Sequence, residues 1–165
     1  MHPGSIDIVR LRLAHRSDIL QMRSLEEQAD GASHWSATQY ESLFESKTQD
    51  RVLLVAADDT DDAAIYGFIV ARCLTDEWEI ENVVVSADYR RQGIARSLVR
   101  AVADAAIAAK AGSVILEVRA SNIPAVRLYE SIGFIEEGRR KDYYRNPSED
   151  AFLFRRTLHF CDKIS

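Results

Sequence analysis

Apolar and polar side chains alternate at the start of the chain, with Ile6, Ile8, Leu11 and Leu13 on the repeating positions after one slip. A period of two predicts a strand over 6–13. From Ser17-Asp18 the spacing becomes helical, with Ile19, Leu20, Met22 and Leu25 leading to about Ala29. Ser36 is a residue type that caps a helix start, and Tyr40, Leu43 and Phe44 lie at helical spacing beyond it. Three strand-like runs follow at 52–57, 63–72 and 79–86. The acidic stretch 58–62 between the first two reads as a solvated hairpin loop. Over 94–110, Ile94, Leu98, Val102, Ala105 and Ala109 form one stripe, and Gly112 is suited to the left-handed position that ends a helix. A strand at 113–119, a helix at 124–131 ending at Gly133, and strands at 134–140 and 151–158 complete the pattern.

Strand–helix–strand over 79–119 requires a right-handed crossover and parallel neighbours, whereas the hairpin-like pairs around it are antiparallel. The expected architecture is α/β: one domain over 1–165 with a mixed, largely antiparallel sheet, a central parallel pair and helices on both faces. Length agrees, since 165 residues with 47% hydrophobic and 28% charged side chains suit one core. The net charge of −5 argues against a surface built to grip nucleic acid. Cys73 and Cys161 form no CxxC motif and the four histidines are scattered, so no metal site is expected. The first residues lack a basic stretch followed by an apolar run, and no apolar run approaches the roughly 20 residues of a membrane span. A cytoplasmic protein without membrane contact is the expectation.

The densest chemistry lies where the apolar run Val83, Val84, Val85 meets Arg90-Arg91-Gln92-Gly93-Ile94-Ala95-Arg96 and a long helix. The first N–H groups of a helix have no internal acceptor and carry about half a positive charge through the macrodipole, a setting suited to a pyrophosphate. Gly93 would let the backbone approach the phosphates, and Arg90, Arg91 and Arg96 would neutralise them. Neither GxGxxG nor a Walker loop is present. On composition alone a glycine before a helix is usually only a turn.

These residues resemble the Q/R-x-x-G-x-G/A signature of the GCN5-related N-acetyltransferase (GNAT) family, read from Arg90 to Ala95. Downstream, Leu116-Glu117-Val118-Arg119-Ala120-Ser121-Asn122, Leu128-Tyr129-Glu130, Gly133-Phe134 and Arg139-Arg140-Lys141-Asp142-Tyr143-Tyr144 are similar to the RimI-type branch, as is Trp35-Ser36. The resemblance is strongest over 34–158. Ala95 stands for the second small residue, which the pattern allows, and the strand Trp78-Glu79-Ile80-Glu81-Asn82 is more acidic than that branch's.

The resemblance implies acetyl-CoA as co-substrate, no metal, and transfer to a protein N-terminus, that of a small-subunit ribosomal protein beginning with alanine. It implies backbone pairing of Val83, Val84 and Val85 with the pantetheine arm, a pyrophosphate site at 91–96, and Asn122 bonding the arm. It further implies Glu117 as general base, with Glu81 in reserve, and Tyr129 as general acid.

Each residue has a plainer reading beside the implied one. Glu117, alone in an apolar strand, could sit at a sheet rim; Tyr129 could be core; Asn122 before Ile-Pro is a good helix cap. Tyr143 could pack under a solvated basic turn or wall a groove around a small first side chain, and Trp35 could close that groove or belong to the core. Glu79 is expected to be solvated. The protein is expected to be a monomer or weak dimer without direct nucleic-acid contact. A small-molecule amine or lysine acceptor, and a non-catalytic acyl-CoA sensor, are the alternatives.

Overall fold

The computed structural model describes residues 9–29, 34–45 and 50–159. Strand positions 6–8 and Cys161 lie outside them. In chain order the elements are β1 (Val9–Leu13), a 3-10 turn (Arg16–Asp18), α1 (Ile19–Glu27), α2 (Ala37–Glu45), β2 (Arg51–Asp58), β3 (Ile65–Leu74) and β4 (Glu77–Val85). A second 3-10 turn (Ala87–Tyr89) precedes α3 (Ile94–Ala108), β5 (Ser113–Arg119), α4 (Ile123–Ser131), β6 (Ile135–Tyr144) and β7 (Glu149–Thr157). The strands pair in the order β1-β2-β3-β4-β5-β7-β6, with β4 and β5 parallel and β1–β2, β5–β7 and β6–β7 antiparallel. The expected α/β fold with a mixed sheet and one parallel pair is the observed one.

Two compact units divide the chain. One holds the residues up to Val70 together with Asn82–Val99, the other Ala71–Glu81 together with the residues from Arg100 onward.

In the first unit, Met22, Tyr40, Val55, Phe68 and Val84 form the buried core, with Tyr40 edge-on to Phe68 at 6.2 Å. Leu20 faces outward at 77% exposure, because α1 turns Ile19, Met22 and Glu26 fully inward. Ser36 caps α2 as expected: its hydroxyl accepts from the Gln39 N–H, and the Gln39 side chain accepts from the Ser36 N–H. The 58–62 loop has residues 59–62 exposed, as expected of a solvated loop, and is braced by hydrogen bonds and ion pairs. Asp58 Oδ1 accepts from the N–H groups of Thr60 and Asp61, its Oδ2 accepts from the Tyr66 hydroxyl at 2.6 Å, and Asp62 pairs with Arg10 and Arg12.

In the second unit, Leu116, Val118, Phe134, Ala151 and Phe154 are buried where β5, β7 and β6 pair. Two expectations fail there. The left-handed residue ending α3 is Lys110 (φ 60), not Gly112. Its N–H donates to Ile107 and that of Ala111 to Ala106, a Schellman arrangement that ends the helix two residues early. Gly112 instead donates to the Asp76 carbonyl at 2.7 Å and accepts from Leu158 at 2.9 Å. In addition, β6 runs on to Tyr144, opposite Glu149, past the end of the strand expected over 134–140. Pairing with β7 overrides local propensity, at the cost of an irregular register between Arg140 and Tyr144.

Candidate active site

In β4 the odd positions from Glu77 to Val85 are half-buried and the even ones buried. The parallel ladder with β5 runs from Glu77↔Ser113 to Ile80↔Leu116 and ends there. Val83, Val84 and Val85 lie beyond its last pair, so their main-chain groups are not consumed by it.

The first unit then turns from β4 into α3. The Ser86 N–H donates to the Tyr66 carbonyl at 2.8 Å, and Tyr89 stacks on the Tyr66 ring at 3.9 Å with planes 16° apart. Hydrogen bonds to Asp58 and then Tyr89 hold the Tyr66 phenol above its ordinary range. Arg91 (φ 60) and Gly93 (φ 82) are both left-handed, and a Cβ placed on Gly93 would meet nothing within 4 Å. Ser97 is the first residue of α3 to find a helical acceptor, the Gly93 carbonyl at 2.9 Å. The N–H groups of Ile94 and Ala95 precede it, in the first turn, where a helix offers no internal acceptor. Left-handed residues beside a helix start form an anion cradle, and exposed Arg90, Arg91 and Gln92 surround it. Arg90 Nε donates to the Val85 carbonyl at 3.4 Å. This donor set fits a pyrophosphate.

Gly67 holds the turn in place, and nothing but an isolated glycine in a strand pattern signals it. A Cβ there would stand 2.8 Å from the Val84 carbonyl oxygen, 3.2 Å from Val85 Cγ2 and 3.4 Å from Ile94 Cγ2. Gly67→Ala should therefore cost roughly 1–3 kcal/mol of stability through overpacking and weaken acetyl-CoA binding. Thermal denaturation and calorimetric titration check this, and unchanged coenzyme affinity would mean that the turn tolerates the shift.

The second unit carries Glu117, Glu81, Tyr129, Asn122 and Tyr143. Glu117 on β5 is 19% exposed at its side chain, and one oxygen lies 2.9 Å from Arg140 Nε. The Arg140 guanidinium lies 5.3 Å from the centre of the Tyr143 ring. The charge of Glu117, then burial, then a hydrogen bond to Glu117 raise the Tyr143 phenol above its usual range. Glu81 and Glu79 share Arg72, at 3.7 and 2.7 Å, so Glu79 is ion-paired rather than solvated.

Tyr129 on α4 is buried, with Phe134 edge-on at 5.7 Å and Phe154 at 6.4 Å. Burial, and then the neighbouring Tyr144, hold its phenol far above its ordinary range, so it stays protonated at neutral pH. Asn122 caps α4, its Oδ1 accepting from the Ala125 N–H at 3.3 Å, which leaves the amide nitrogen as the atom able to donate elsewhere.

Trp35 packs against the core of the first unit with its ring 5.7 Å from Tyr40, and its main-chain N–H donates to Glu26. Glu26 had no sequence signal beyond being a polar position in α1. Its carboxylate is buried and accepts from the Trp35 N–H at 3.0 Å, the Tyr40 hydroxyl at 2.8 Å and the Asn82 amide at 2.7 Å. It ties α1, α2 and β4 together one residue before Val83.

A strand whose parallel ladder ends early and then turns through a left-handed glycine into an anion-receiving helix is the frame of an acetyl-CoA-dependent N-acetyltransferase. The match of residues 17–134 to the Acetyltransferase (GNAT) family model shows that the chain belongs to that family. The ribosomal protein bS18-alanine N-acetyltransferase of Escherichia coli (strain K12) is 35% identical over 129 residues, covering 77% of this chain and 83% of that protein. The crystal structure of the Escherichia coli ribosomal-protein-S18-alanine N-acetyltransferase superposes with a TM-score of 0.78 over 96% of this chain and 99% of that one, at 24% identity. Arabidopsis thaliana NAA60 in complex with acetyl-CoA has a TM-score of 0.81 at 21% identity, covering 92% and 99% of the two chains. Among the described residues no helix is long and apolar enough to cross a membrane.

Proposed function

We propose that this protein is an N-α-acetyltransferase that moves the acetyl group of acetyl-CoA to a protein N-terminal amine, that of a small-subunit ribosomal protein beginning with alanine. The observation that carries the reading is Glu117, a carboxylate in a mostly apolar strand, set against one arginine and one tyrosine. The identity to the bS18-alanine enzyme supports the acceptor.

An α-amine with a pKa of about 7.7–8.0 is mostly protonated at neutral pH and cannot attack a thioester until a base takes its proton. Glu117 takes that proton. The Val85 N–H faces the carbonyl on which charge develops, the cradle at 91–96 holds the pyrophosphate, and Tyr129 gives a proton to the departing sulfur. Glu81 is the reserve base, although it shares a cation with Glu79. Tyr143 lines the site of the acceptor's first residue, whereas Trp35 serves the core of the first unit. Asn122 donates its amide to the coenzyme arm.

Tyr129→Phe keeps the packing against Phe134 and Phe154 and removes only the hydroxyl. It should lower kcat by about 10²–10⁴-fold with unchanged acetyl-CoA affinity. An equal loss of affinity in stopped-flow and equilibrium binding would demote Tyr129 to a packing role. The acceptor is tested with an alanine-starting peptide, its N-blocked copy and a polyamine. Activity on the blocked copy or the polyamine alone would overturn the reading. A polyamine is disfavoured because each acidic position of β4 already has a cationic partner, Glu77 in Arg155 at 2.5 Å and Glu79 and Glu81 in Arg72.

A further inference from the structure

We infer that Arg140 holds the place of the acceptor's ammonium group before substrate arrives, so that an N-terminal amine enters by displacing its guanidinium from Glu117 and the Tyr143 ring. The inference rests on Glu117 being the group that meets the acceptor amine. A carboxylate and an aromatic face together recognise an alkylammonium by charge-assisted hydrogen bonding and by cation–π attraction. Arg140 makes both contacts, 2.9 Å to Glu117 and 5.3 Å to the centre of the Tyr143 ring.

The exposures show which partner can leave. The Glu117 side chain is 19% exposed and that of Arg140 is 58% exposed, so the anion is set in the protein and the cation lies at the rim. The two neighbouring arginines are engaged elsewhere. Arg119 pairs with Glu149 at 3.5 Å and lies over Tyr144 at 4.1 Å, while Arg139 stands 3.8 Å from Asp150 and lies over Phe152 at 4.6 Å. Arg140 also sits where the β6–β7 register is irregular, just before Asp142 with φ 50, so no continuous ladder pins its backbone on the C-terminal side. When the guanidinium swings out, the Glu117 carboxylate and the Tyr143 ring remain to receive the ammonium. Arg140 is then a specificity-determining residue. It sets a threshold that only a cation able to bond Glu117 and cover the Tyr143 ring can cross.

An exposed ion pair is worth at most about 1 kcal/mol, which is roughly fivefold in an equilibrium constant. Arg140→Met should therefore lower the KM of an alanine-starting peptide by up to about fivefold and leave the KM of acetyl-CoA unchanged. Arg140→Lys, which restores a cation, should return the peptide KM toward the original value. In Arg140→Ala, guanidinium chloride at tens of millimolar should inhibit competitively against the peptide, because the free ion fills the vacated place. The unaltered enzyme should be much less sensitive. A peptide KM that is unchanged or raised in Arg140→Met, or guanidinium inhibition identical in both proteins, would overturn the inference. Either result beside a slow Glu117→Gln enzyme leaves the proposed function standing, whereas a fully active Glu117→Gln enzyme removes the function's base and this inference together.

Discussion

Glu117→Gln should lower kcat at pH 7 by about 10²–10⁴-fold, the usual contribution of a positioned base. The loss should shrink as pH rises, and the direction of that change is the informative part. Below the amine's pKa of about 7.7–8.0 nearly all acceptor carries a proton that must be removed, and Gln cannot remove it. Above it the amine is already free, and the need for a base falls away. The pH–rate profile of the variant should therefore climb more steeply between pH 7 and 9 than that of the unaltered enzyme. Gln retains an oxygen facing Arg140, so folding and coenzyme affinity should hardly change. A constant ratio of the two rates across that range would show that Glu117 positions rather than deprotonates. The matching Glu81→Gln substitution would then decide whether β4 supplies the base.

Glu26→Leu should be the most destabilising single change in the first unit. The carboxylate is 2% exposed and accepts from three donors on three different segments, so its removal strands the Trp35 N–H, the Tyr40 hydroxyl and the Asn82 amide in the interior. At about 1–3 kcal/mol for each unpaired buried group, partly relieved by local movement, the cost should be on the order of 3–5 kcal/mol. Thermal unfolding should then shift down by roughly 10 °C, given about 2–4 °C per kcal/mol for a chain of this size. Glu26→Gln should cost far less, because its oxygen can still accept from Trp35 and Tyr40, and Asn82 can turn its amide to present an acceptor. Equal losses for the two variants would mean that volume, not hydrogen bonding, holds this junction.

The turn before α3 is readable from a short stretch because its conformational demand is local. A glycine before a helix already marks a left-handed turn, and Gly93 is left-handed in the structure. Arg91 taking a left-handed conformation was not readable, since nothing in an arginine requests it. The same holds at the end of α3. Gly112 was the residue suited to stop the helix, yet the Schellman bonds formed earlier at Lys110 while Gly112 was taken up by Asp76 and Leu158. Composition names the residues able to adopt a conformation, and hydrogen bonds to remote segments choose among them.

The chain's own periodicity determined the order of strands and helices, the single parallel pair, and Glu117 as the polar position among the apolar ones of β5, because those features depend on neighbours two to four residues apart. The surroundings of Glu117 came only with the tertiary structure. Gly138 pairs with Leu153 and Leu153 with Glu117, so the β5–β7–β6 register sets β6 two strands from Glu117, and Arg140 of β6 reaches the carboxylate. Glu26 likewise meets Asn82 across 56 positions of sequence. Pairings over such separations follow from which surfaces the folded chain buries together, and no local repeat in the sequence encodes them.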